Sequence, residues 1–132
     1  MRFLAAGAGL AALGVGLAAC GGGGGSTPAP SPTPTPTNPY VITISSSGVA
    51  APRELTVPPG ARILFVNNDG RRHDMTSDDH PDHLECPALN QVGLLTSGQS
   101  RESGNLVVVR TCGFHDHEDP NNNNLKGQII VR

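Results

Sequence analysis

The chain has 132 residues and a formal net charge of −2, with nine Lys and Arg against eleven Asp and Glu. It carries no basic stripe interleaved with aromatic platforms, which sets nucleic-acid binding aside. Tryptophan is absent and the aromatics are one Tyr and three Phe, so a core has to be built from Val, Ile and Leu, residues that suit strands.

Residues 1–20 read as an export signal. Arg2 gives a short positive start, Phe3 to Leu17 is apolar, and Leu17-Ala-Ala-Cys20 has the form of a bacterial lipobox, with Cys20 becoming the lipidated N-terminus. The apolar run is about fifteen residues, short of the roughly twenty that span a bilayer. Lipid at Cys20 therefore anchors the chain to a membrane surface without crossing it. The expected address is the cell envelope, on the periplasmic side of an outer membrane or at the cell surface. Residues 21–39 form a linker of five glycines followed by alternating prolines. Polyproline geometry of about 3.1 Å per residue gives it a reach on the order of 50 Å.

Residues 40–132 make the folded domain. Tyr40 to Ile44 alternates and is β-branched, predicting a strand. Glu54 to Val57 predicts a second, stopped by Pro58-Pro59-Gly60. Ala61 to Asn67 predicts a third, Leu106 to Cys112 a further one, and Gln128 to Arg132 the last. Asp82 to Gln91 has room for a helical turn or two. Short strands with Gly and Pro between them predict an all-β domain, a sandwich or small barrel.

All five histidines fall between His73 and His117, and Cys112-Gly-Phe-His115-Asp-His117 packs a thiol and two imidazoles into six residues. Clustered His and Cys are donors for copper or zinc. Residues i and i+2 of a strand share a face, so His115 and His117 can grip one ion together. His80, His83 and Asp82 form a secondary cluster in an acidic loop, and Met75 is a soft donor nearby. Cys86 and Cys112 have a rival use. In an oxidising compartment they would form a disulfide closing a loop of about 27 residues, stabilising the domain by roughly 3–4 kcal/mol. A bridged sulfur is no thiolate ligand, and both readings stand at this point.

Leu55-Thr-Val-Pro-Pro-Gly60, then Ile63-Leu-Phe-Val-Asn-Asn-Asp69, His73, Gly98-Gln-Ser100, Cys112-x-x-His115 and the closing Leu125-Lys-Gly127-Gln-Ile-Ile-Val131 together resemble the cupredoxins, the blue-copper proteins. The resemblance spans nearly the whole domain and implies a Greek-key β-sandwich holding one copper ion. It implies His73, Cys112 and His115 as ligands, with His117 as the expected fourth and Asn67, Asn68 and Asp74 as candidates to orient His73; Cys86, His80 and His83 are secondary candidates on their residue types alone. The family's axial methionine is Leu125 here, and nine residues separate His115 from it; a leucine would leave a three-coordinate site, whereas a nearby imidazole as fourth ligand would turn a blue site toward a tetragonal one, and both stand at this point. The function implied is single-electron transfer to a redox partner protein, without conversion of a substrate. The alternative is a copper carrier or sensor, with a histidine-rich site and a Cys86–Cys112 disulfide, that exchanges copper with a donor or acceptor in the envelope. Zinc is the less favoured ion, and a monomer is expected.

Overall fold

Apolar residues at every second position mark out the strands, because a strand resting on a core buries one face and turns the other away. The computed structural model describes residues 37–132. The expected leader, Cys20 and most of the linker lie outside the described residues. Nine strands follow in chain order: β1 (Val41–Ile44), β2 (Ala50–Ala51), β3 (Glu54–Val57), β4 (Leu64–Asn67), β5 (His73–Ser77), β6 (Gly93–Leu95), β7 (Ser100–Glu102), β8 (Arg110–Asp116) and β9 (Gly127–Val131). Short 3-10 turns lie at Leu89–Gln91 and Asn123–Leu125.

The strands form two sheets, ordered β2-β1-β4-β7 and β3-β9-β8-β5-β6. Pairing is antiparallel except for β1 with β4 and β3 with β9, which run parallel. In β1 and β4 the second and fourth residues are the buried ones, Ile42, Ile44, Phe65 and Asn67. Facing them are Met75, Phe114, Ile129 and Val131 of the five-stranded sheet, all buried in one core. Phe65 and Phe114 meet edge to face across the sandwich, with ring centroids 5.5 Å apart and planes at 84°. That geometry sets the positive edge of one ring on the negative face of the other.

Three segments differ from expectation. The strand placed at Leu106 to Cys112 runs from Arg110 to Asp116 instead. Leu106 makes an isolated bridge to Ala61, and Val107, Val108 and Val109 are 60–67% exposed, so that apolar run packs against no sheet. Residues 73–77, for which no strand is predicted above, form β5, because β6 and β8 pair with it from both sides. The helical turns expected over 82–91 shrink to Leu89–Gln91.

Cys86 and Cys112 form a disulfide across 26 positions of sequence. It ties the loop after β5 to the middle of β8. Gly127, opposite Phe114 in the β8–β9 register, leaves room for the ring. A Cβ there would sit 2.5 Å from Phe114 Cζ and would also collide with the Arg53 carbonyl. Neither the backbone nor a core phenyl ring can yield easily, so Gly127→Ala should destabilise the domain by about 1–3 kcal/mol in chemical denaturation. An unchanged midpoint would show that the Phe65–Phe114 pair tolerates displacement.

Candidate metal centre

The parity of β8 decides which side chains can meet. Cys112, Phe114 and Asp116 point into the core, where they find Cys86, Phe65 and His73. Gly113, His115 and, one residue past the strand, His117 point to the opposite face. That outer face is covered by the loop from Asp78 to Glu85, which brings His80 and His83 over it. One nitrogen from each of His80, His83, His115 and His117 lies within 4.8 Å of the others. The five ring pairs in contact have centroids 4.9–5.7 Å apart.

The rings are held with chosen tautomers. His115 Nδ1 bonds Asp78 Oδ1 at 2.6 Å, and His83 Nδ1 donates to the Ser77 carbonyl at 2.9 Å. A carbonyl only accepts, so His83 carries its proton on Nδ1 and turns the Nε2 lone pair to the cluster. His83 Nε2 lies 2.9 Å from His117 Nδ1, which supplies the proton between them. His115 is 2% exposed, and its Nε2 has no hydrogen-bond partner among the described residues. An unpaired buried acceptor costs on the order of 1–3 kcal/mol unless something fills the position. A borderline cation within reach of four imidazoles meets that need, and the bonds at Nδ1 of His83 and His115 are those that orient metal-binding histidines.

His83 adopts a left-handed backbone, φ 54°, which non-glycine residues take at some cost and which concentrates at functional sites. Its carbonyl accepts from Asn90 Nδ2 and Ser77 Oγ, which hold that conformation. His80 and His117 are exposed, His83 is half-buried, and His115 closes the floor.

Of the expected set His73, Cys112, His115 and His117, the structure brings together the last two, and it joins them with the secondary candidates His80 and His83. Cys112 is bonded to Cys86, and both sulfurs lie on the core side of β8, so neither is a thiolate beside the cluster. His73 is buried on that same side with both nitrogens engaged: Nδ1 with Asp116 Oδ2 at 2.8 Å and Nε2 with Asp69 Oδ2 at 2.9 Å. With a carboxylate on each nitrogen and the ring on the core side of β8, His73 directs no free nitrogen at the cluster. Its partners are Asp69 and Asp116 rather than Asn67, Asn68 or Asp74. Asn67 acts one step back, accepting from the Asp69 amide. Met75 is buried in the core and Leu125 is fully buried. Sequence reasoning missed Asp78 and Ser77 as partners of the cluster; the acidic residues interleaved with the loop histidines were the available signal.

No family model matches the sequence, and no curated protein matches it. Solved structures do. A purple cupredoxin from Nitrosopumilus maritimus is 18% identical, with a TM-score of 0.55 over 70% of this chain and 99% of that one. A mutant plastocyanin of fern, solved in oxidised and reduced states, is 17% identical with a TM-score of 0.57 over 70% and 100%. A reduced amicyanin variant is 15% identical with a TM-score of 0.53 over 70% and 81%. The fold is the cupredoxin fold. At these identities the likeness carries the architecture alone, and the four-imidazole cluster rests on this chain's own geometry.

His73 and the cluster separate by experiment. His73→Gln strips the partner from two buried carboxylates and should lower the thermal midpoint while one divalent ion still binds per chain in calorimetric titration. Loss of the ion in that variant would return His73 to the ligand set.

The pH dependence has two windows. Loss of surrounding water, then the charges on His117, His115 and His83, hold His80 below its ordinary value of 6.5. The unfolded chain therefore takes up this proton first, and the metal-free domain loses stability as pH falls below that value. The hydrogen bond from His73 holds the Asp69 carboxyl below 3.8, opposed by burial and aided by Gly70 and Arg71. Stability from that carboxylate is complete above 3.8 and is lost as pH falls further. Thermal midpoints of metal-free protein should step down in these two windows, with His80→Asn flattening the upper step alone.

Proposed function

We propose that this chain is a copper-binding protein that takes up one ion through His80, His83, His115 and His117 and carries it within the cell envelope, tethered by lipid at Cys20. The observation that supports the reading is His115 Nε2, buried, unpartnered and facing three other imidazoles. When bound, copper would supply a one-electron couple and strong affinity for imidazole nitrogen. Copper is preferred to zinc because divalent copper outranks zinc at a nitrogen site of given geometry. The fold points the same way, since one amicyanin variant of this architecture is a Cu(I) structure.

The chain's own residues do the holding. Ser77 and Asp78 fix the tautomers of His83 and His115, so the His115 lone pair is aimed before an ion arrives, while that of His83 holds the His117 Nδ1 proton until an ion takes its place. His80 and His117, exposed at the rim, close over it and give exchange with a donor or acceptor a short path. Single-electron transfer to a redox partner is the second reading. It is favoured by the fold and by two imidazole edges at the surface, and it likewise involves no substrate conversion.

Purified domain without Cys20 should show no free thiol when denatured unreduced, and should bind one Cu(II) with only faint colour. His115→Ala should lower the affinity at least tenfold. An intense thiolate-to-copper band, lost in Cys112→Ser, would sink the all-imidazole site. Zinc binding more tightly than copper would replace the ion.

A further inference from the structure

Gly113 stands on the same face of β8 as His115, and its φ is not in the region that demands glycine. Space is what a side chain there would contest, and the atoms it would displace belong to carboxylates rather than to the backbone. A Cβ at Gly113 would collide with the Asp78 carboxylate, reaching Cγ at 2.8 Å, and would lie 3.1 Å from Glu85 Oε2. The two carboxylates lie over the bare backbone at this point. Glu85 Oε2 accepts the Gly113 amide at 2.6 Å, and the Glu85 amide donates to the Asp78 carbonyl at 2.8 Å. The Asp78 amide in turn donates to the Gly113 carbonyl at 3.1 Å. Asp78 is thus fixed from three sides, with Oδ1 left to meet His115 Nδ1.

We propose that Gly113 is a positioning residue whose missing side chain seats Asp78 against His115, and that this seated carboxylate makes the copper site prefer a divalent ion over Cu(I). This rests on the copper reading above. The physical link is charge. A carboxylate on the far nitrogen of a ligating imidazole raises that ligand's basicity, and the gain scales with the charge of the ion it meets. Among the described residues, His115 Nδ1 is the one ring nitrogen of the four imidazoles that bonds a carboxylate; His83 Nδ1 bonds a neutral carbonyl. The Glu85 carboxylate is held by the Gly113 amide, its own amide holds the Asp78 carbonyl, and among the described residues it bonds no histidine nitrogen. Asp78 is about 43% exposed while His115 is 2% exposed, so water damps the charge at the outer oxygen far more than at the inner bond.

The test compares Zn(II), Cu(II) and Cu(I) binding by competition with chelators in the wild-type domain, Asp78→Asn, Gly113→Ala and the double variant. Asp78→Asn should weaken divalent binding about ten- to a hundredfold and Cu(I) binding less. The Cu(II)/Cu(I) midpoint would then rise by about 59 mV for each tenfold fall in the ratio. Gly113→Ala should shift the same ratio in the same direction. The double variant should lose no more than Asp78→Asn alone, because both act through one carboxylate. A purely structural glycine would instead lower the metal-free thermal midpoint, leave the ratio unchanged and add fully to Asp78→Asn. That result overturns the proposal, as does an equal loss for both charge states in Asp78→Asn. Should Gly113→Ala fail to fold, Asp78→Asn and Glu85→Ala decide it, the latter expected to move the ratio in the same direction. Wild-type domain that binds none of the three ions would sink the copper reading itself, a failure distinct from a site that binds and ignores these variants.

Discussion

The alternation of side chains along Arg110–Asp116 governs the rest of the molecule. Cys112 and His115 are three positions apart, an odd number, so an unbroken strand sends them to opposite faces. The family pattern Cys-x-x-His joins both to one ion only where the chain leaves the extended state between them. Here β9 pairs with every residue from Arg110 to Phe114, and β5 pairs from Phe114 to Asp116. With ladder bonds on both sides the strand does not turn. The sulfur therefore goes to the core, where Cys86 takes it, and the imidazole goes outward, where the loop histidines meet it.

That separation gives the inner face a different task. His73, which the resemblance makes a metal ligand, instead joins Asp116 and Asp69 in a buried hydrogen-bonded cluster. Asp116 Oδ1 also accepts from the amides of Asp74 and Glu118, and so fastens both β5 and the turn after β8. Burying such a cluster is costly, and its benefit lies in fixing register more than in net stability. Register matters at this point, since a one-residue slip of β8 would carry His115 into the core and Phe114 out of it.

The fold was largely legible. Alternation located β1, β3, β4 and β9 within a few residues, and the Pro-Pro-Gly turn and closing Gly-Gln-Ile-Ile-Val pointed to the cupredoxin sandwich. Part of the site was legible too: the i, i+2 argument pairs His115 with His117, and the disulfide was one of two open uses for Cys86 and Cys112. What was hidden was the length of β8. Val107 to Val109 look more strand-like than Gly113 to Asp116, but side-chain propensity yields to the pairing partners the rest of the chain provides. Once the strand is displaced toward the C-terminus, His73 and Cys112 leave the site together. His80 and His83 were read as secondary because nothing in a loop sequence tells which sheet face it will cover.

An ion held by four imidazoles differs from one held by a thiolate and two imidazoles in how it meets a change of charge. The trigonal sulfur-bearing set suits Cu(I) and Cu(II) alike, so an electron passes with little movement of ligands. Four nitrogens, one anchored on a strand, one just past its end and two on a loop, fit the higher coordination number of the divalent ion, and reduction would favour releasing some of them. The exposed pair, His80 and His117, are the arms free to let go, whereas His115 is locked at the floor by Asp78. A site built with a fixed floor and a loose rim exchanges its ion more readily than it relays electrons. The carrier role we propose thus draws on the parity of a single strand.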